Sequence, residues 1–95
     1  MFIAEVTGTV VATRKTENMD GLPLRTVRRL TTEAVTTSDE VVAVDVVGAA
    51  IGEYVLVTSG SASRNTHLTD ARPCDAIIMA IVDTWQVQGQ VKYTK

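Results

Sequence analysis

The residues of this chain best equipped for chemistry are few and scattered. His67 is its single histidine and Cys74 its single cysteine. A zinc centre needs three or four ligands, and this pair supplies no such pattern. A nucleophile–base pair would have to form across the Pro73 break. Cys74 also leads into an apolar run, where a thiol is usually inert packing, and His67 reads as a solvated loop residue. Two carboxylates stand out more. Asp45 lies inside the run Val41-Val42-Ala43-Val44-Asp45-Val46-Val47, and Asp83 ends the apolar run 76–82. An ionised carboxylate in apolar surroundings is costly unless it is paired or hydrogen-bonded. Acid–base catalysis by the two is one use for them. The simpler use is structural: each accepts backbone N–H groups at a barrel corner or a subunit contact, with an arginine fork as partner. Nothing else resembling a substrate site surrounds them. Asp45 and Asp83 are therefore read as structural carboxylates, with no catalytic, metal or cofactor site, and the chain is not expected to be an enzyme.

Two further segments invite a functional reading. Gly60-Ser61-Ala62-Ser63-Arg64 leaves backbone N–H groups uncrowded, as a phosphate cradle would. It lacks the spacing and lysine of a P-loop. Small residues also suit a place where copies of one loop crowd around a symmetry axis. Arg25, Arg28 and Arg29 form a local basic cluster, the best argument for a nucleic-acid-binding module. That function calls for a basic groove with aromatic platforms. The chain offers four aromatics, Phe2, Tyr54, Trp85 and Tyr93, and a net charge of −2. Nucleic acid is thus the alternative and not the preferred partner.

The elements that must position these residues read as strands. In residues 2–13, Ala4, Val6, Val10 and Ala12 share one parity while Glu5, Thr7, Thr9 and Thr13 share the other. This period of two marks a half-buried strand, and Gly8 at its centre predicts a bend or bulge. A polar loop ends in the turn signal Asp20-Gly21. Strands follow over 22–30, 41–47, 53–58 and 76–82, with a polar loop over 31–40 and a small-residue turn over 48–52. Ser61 is placed to cap a single helical turn reaching about His67. The tail alternates from Trp85 through Val87, Gly89 and Val91 and is a candidate to pair with a neighbouring subunit.

Composition agrees. Hydrophobic residues reach 45% and aromatics only 4% of the 95 residues, and the Val, Ile and Thr that dominate favour pleated strands. The N-terminus lacks the pattern of a signal peptide, and no run approaches the roughly 20 apolar residues of a membrane helix. One cysteine suits a reducing cytoplasm. The fold expected over residues 1–95 is a single all-β domain, a five- to six-stranded OB-like barrel with one short helical turn. Closure matters because an open sheet this rich in valine would expose an adhesive edge.

Taken in order, the motifs resemble the EutN/CcmL family of microcompartment vertex proteins. The carriers are Gly8-Thr9-Val10-Val11-Ala12-Thr13-Arg14-Lys15, Gly21-Leu22-Pro23-Leu24, and Val42-Ala43-Val44-Asp45-Val46-Val47-Gly48-Ala49. They continue with Gly52-Glu53-Tyr54-Val55-Leu56-Val57, Gly60-Ser61-Ala62-Ser63-Arg64, and Pro73-Cys74-Asp75-Ala76 ahead of Ala80-Ile81-Val82-Asp83. Ala62-Ser63 inverts the family's usual Ser-Ala order, Ala50 replaces a common glycine and Cys74 a common valine. The resemblance implies a homo-oligomeric ring, a pentamer. It would cap the vertices of a cytoplasmic shell tiled by hexameric shell proteins, without catalysis, nucleic acid or membrane. Gly60, Ser61 and Ala62 are then expected to line the ring axis.

Overall fold

The computed structural model describes residues 1–12, 23–59 and 76–95. Seven strands follow in chain order: β1 (Phe2–Val10), β2 (Leu24–Leu30), β3 (Thr36–Asp45), β4 (Tyr54–Ser59), β5 (Ala76–Ile81), β6 (Thr84–Val87) and β7 (Gln90–Thr94). The first five close into a barrel in the order β1-β2-β3-β5-β4. All its ladders are antiparallel except β3–β5, which is parallel and, among the described residues, joined at Val44–Ile77 and Asp45–Ile78. The sheet therefore closes at a short seam next to Asp45. The helical turn expected near Ser61 lies outside the described residues, among which there is no helix.

Strand alternation sends Ala4, Val6, Val27, Ala43, Val55, Val57 and Ile78 into one fully buried cluster. A five-stranded barrel encloses little space, so small and β-branched side chains fill it and rings would not fit. β3 is apolar on both faces because both are used. Ala43 belongs to the barrel interior, whereas Val44 joins Ile77, Leu24 and Val46 in a second cluster on the opposite face.

Three register shifts bend the sheet. On β1, Val6 pairs with Val27 and Gly8 with Thr26, leaving Thr7 as the extra residue. A Cβ on Gly8 would stand 2.9 Å from Thr26 Oγ1, so the glycine is required by close approach. Shifts also occur at Arg28/Leu30 between β2 and β3 and at Leu56/Val57 between β4 and β5. Such bulges add the twist that closure demands.

Two expectations need correction. The loop expected over 31–40 is shorter, because β3 begins at Thr36. Its polar first half is held by its neighbour: Glu40 pairs with Arg28, and Asp39 lies 3.8 Å from Arg29. Opposite charges across a ladder make an acidic stretch compatible with a strand. The tail expected against a neighbouring subunit instead pairs with itself, as the β6–β7 hairpin. Its turn places Gln88 and Gly89 at φ 51° and 79°, the type I′ geometry that suits a two-residue hairpin loop.

Candidate functional site

Asp45 ends β3 at the barrel seam, with a side chain shielded from solvent. Its Oδ1 accepts the N–H groups of Val47 at 3.0 Å and Gly48 at 2.9 Å. Its Oδ2 accepts the Ala49 N–H at 2.9 Å and Arg25 Nε at 3.3 Å. One carboxylate thus gathers the turn after β3 and ties it to β2. Because every donor comes from the chain itself and the group is sealed, this arrangement holds a corner and offers no oxygen to a substrate. Asp83 is placed differently. β5 ends at Ile81, so Asp83 falls in the connection to β6, where it is exposed and water solvates its charge. Its main-chain carbonyl accepts the Lys95 N–H at 2.8 Å, at the base of the hairpin. The two carboxylates therefore occupy different environments and do not share a site.

The arginine cluster is spent within the chain. Arg25 also donates to Thr9 Oγ1 at 2.7 Å, Arg28 pairs with Glu40, and Arg29 lies 4.8 Å above the Phe2 ring centroid. The other three aromatics pack on one another. Ring centroids are 4.4 Å apart for Tyr54–Tyr93, 5.4 Å for Trp85–Tyr93 and 5.9 Å for Tyr54–Trp85. Among the described residues, cations neutralised by partners and rings stacked in place leave no basic groove with free base-stacking platforms, contrary to what the local run of arginines suggested.

The aromatic trio docks the hairpin on β4, an arrangement that alternation in the tail did not reveal. Trp85 Nε1 donates to the Thr32 carbonyl at 2.8 Å. Lys92 Nζ lies 3.2 Å from Glu33, and Lys95 Nζ 2.6 Å from Glu53. Glu53 Oε1 also accepts the Ala50 N–H at 2.7 Å. The Ala50 N–H, and then Lys95, hold the Glu53 carboxyl below its ordinary range, and the bond to Glu53 raises the Lys95 ammonium. Among the described residues no three His, Cys, Asp or Glu side chains cluster as metal ligands. Gly60, Ser61, Ala62, His67 and Cys74 lie outside the described residues.

Residues 1–83 match the family model described as ethanolamine utilisation protein EutN/carboxysome. The chain belongs to the EutN/CcmL family. A member from Synechocystis sp., named carboxysome shell vertex protein CcmL, is 43% identical over 95 residues, all of this chain and 95% of that protein. The EutN/CcmL fold is equally clear in structure. Gloeobacter violaceus CcmL, 35% identical, superposes with a TM-score of 0.96 over 100% of this chain and 98% of that one. A Rhodospirillum rubrum structure, described as the GrpN pentameric microcompartment shell protein, is 40% identical with a TM-score of 0.84, covering 92% of this chain and 99% of its own.

Proposed function

We propose that this chain is a structural, non-catalytic subunit of a bacterial microcompartment shell. It assembles into a pentameric ring that caps the vertices of a shell in the cytoplasm. The observation that carries this reading is the end-to-end likeness to proteins named shell vertex proteins, one of them described as pentameric. Geometry supplies the physical need. A flat hexagonal lattice cannot close without five-fold units, so a vertex subunit must meet two copies of itself in a ring of five and, at the rim, the hexameric tiles. A head-to-tail contact gives a ring when its rotation closes. In this reading residues 1–95 act as one domain. Gly60, Ser61 and Ala62 line the axis, where small side chains let five backbones converge.

Native mass spectrometry of the purified protein tests the ring. The expected species is a pentamer, and a stable monomer would overturn the reading. Gly60→Glu tests the axis. Five carboxylates near one axis repel, so the ring should weaken most at low salt. Unchanged assembly there would put the loop elsewhere. An oligonucleotide column tests the rival, since a nucleic-acid binder would show salt-dependent retention. The cis-paired arginines argue for none.

A further inference from the structure

We infer that the C-terminal hairpin is a clasp for the turn between β2 and β3. Docked, it holds residues 31–35 in a strained conformation; released, it lets them relax. The inference is independent of the ring reading. Among the described residues, the non-glycine positions at positive φ are Ala34, at 64°, and Gln88, at 51°. The first lies in the β2–β3 turn and the second at the hairpin tip. Thr31 organises the β2–β3 turn. Its carbonyl accepts the Ala34 N–H at 3.0 Å, and its N–H donates to the Val35 carbonyl at 2.9 Å. Its Oγ1 accepts the Glu33 and Val35 N–H groups at 3.2 and 3.3 Å. These bonds match a tight turn closed by a left-handed residue. Glycine takes that place without steric cost, whereas the Cβ of an alanine crowds the following carbonyl.

A strained backbone persists where its surroundings over-determine it, and here part of that hold comes from outside the turn. Trp85 Nε1 donates to the Thr32 carbonyl at 2.8 Å, and Lys92 Nζ lies 3.2 Å from the Glu33 carboxylate. Both side chains belong to the hairpin, and they grip the two residues directly before Ala34. The hairpin shares no ladder with the barrel, so it can open by losing side-chain contacts while the barrel strands stay paired. The match to the family model ends at residue 83, immediately before β6 begins. The clasp is thus an addition to a barrel that closes without it. Thr32, Glu33 and Val35 are exposed, so the shape of this turn is a surface feature governed by the C-terminal residues. Coupling of this kind is reciprocal. What loosens the hairpin relaxes the turn, and what eases Ala34 tightens the hairpin.

The test is amide hydrogen exchange on the full chain at one subunit concentration, comparing wild type with Trp85→Phe, Ala34→Gly and Ala34→Val. Trp85→Phe keeps a ring and removes the donor to Thr32. Exchange of the Ala34 and Val35 amides is expected to quicken about 5-fold, while the barrel ladders stay protected. Ala34→Gly touches no hairpin residue in sequence, so it leaves the intrinsic exchange chemistry of the hairpin unchanged. Even so, the ladder amides of β6 and β7 are expected to exchange about 3-fold more slowly, because glycine accepts the left-handed region. Ala34→Val, with a β-branched side chain in that region, is expected to quicken them by at least about 3-fold. A hairpin that exchanges no more slowly in Ala34→Gly overturns the inference, whether or not the valine variant folds. So does a turn that exchanges no faster in Trp85→Phe. Ring order is read separately, by native mass spectrometry, and its failure would leave these comparisons standing.

Discussion

Trp85 Nε1 donates to the main-chain carbonyl of Thr32 over 2.8 Å, across 53 residues of sequence. This bond joins the C-terminal hairpin to the turn between β2 and β3. The hairpin has no ladder to the barrel, and a two-stranded ribbon alone is marginal in water. Its order must therefore come from side chains: the Trp85–Tyr54–Tyr93 trio, this bond and two surface ion pairs. Trp85→Phe keeps a ring and loses the donor, and is expected to cost about 1 kcal/mol of docking. Trp85→Ala also loses the ring contacts and should cost about 2–3 kcal/mol. Amide hydrogen exchange reads the difference. Protection should fall within 84–94 and persist in the barrel, because local opening follows local contacts. A uniform loss throughout the chain would show that hairpin and barrel open as one unit.

The ion pair at the hairpin end makes its docking depend on pH. The Glu53 pKa is lowered from its ordinary 4.5, first by the Ala50 N–H and then by Lys95, while that of Lys95 is raised from 10.5, first by Glu53. A lowered carboxyl pKa gives stability present above the unfolded value and lost as pH falls through the folded one. A raised ammonium pKa gives stability present below its unfolded value and lost as pH climbs through the folded one. Docking should be firmest between about 4.5 and 10.5. Trp85, the only tryptophan, reports it by fluorescence. Glu53→Gln is expected to shrink the acid limb. It should also remove the Glu53 share of the alkaline limb. The pair is exposed and screened, so high salt should flatten both limbs. An acid limb identical in wild type and Glu53→Gln would remove Glu53 from the account.

Much of the barrel was legible from the chain because its strands follow local rules. Ala4 and Val6 alternate with Glu5 and Thr7, β3 is apolar on both faces, and Gly8 marks the bulge at Thr7. What escaped were features set by partners distant in sequence. Residues 36–40 look like a polar loop until Arg28 and Arg29 are placed across from them. The buried state of Asp45 could be argued from its neighbours, but the choice of Arg25 among the arginines depends on the β2–β3 register, which pairs Arg25 with Ala43. The hairpin did leave a signal. Gln88-Gly89 sits between the alternating runs Trp85–Val87 and Val91–Tyr93, the position of a hairpin turn. Asp83 falls outside the strand because the apolar run 76–82 does not coincide with β5, which stops at Ile81.

Asp45 should be needed for stability and not for turnover. Asp45→Asn exchanges one acceptor oxygen for an amide that must face a donor, either the Val47 and Gly48 N–H groups or those of Ala49 and Arg25. Leaving buried donors unmatched, together with loss of the charge that Arg25 faces, should cost about 2–3 kcal/mol. For a domain of this size that lowers the thermal midpoint by roughly 10–20 °C, measured at fixed subunit concentration because assembly raises it too. Asp45→Ala, which abandons every donor, should cost about 3–5 kcal/mol. A midpoint within a degree or two of wild type in both variants would mean that the turn over 46–49 does not depend on this carboxylate.

The hairpin turn carries a correctable local conflict. Gln88 occupies the left-handed region at φ 51° with Gly89 at φ 79° after it. A side chain there meets the following carbonyl at a cost of roughly 1–2 kcal/mol, least for Asn and absent for Gly. Asn-Gly is the preferred pair for this turn. Gln88→Asn is expected to steady the hairpin by about 0.5–1 kcal/mol, and Gly89→Ala to weaken it by about 1 kcal/mol or more, since the left-handed region then becomes strained at both positions. The thermal midpoint of the barrel should barely move in either case, because the hairpin shares no ladder with it. The informative measurement is exchange of the ladder amides between Val87 and Gln90 and between Trp85 and Tyr93. Slower exchange in Gln88→Asn and faster exchange in Gly89→Ala is the expected pair of results. Equal rates in all three proteins would place the limit on hairpin order in its docking to Tyr54 and Thr32 and not in its turn.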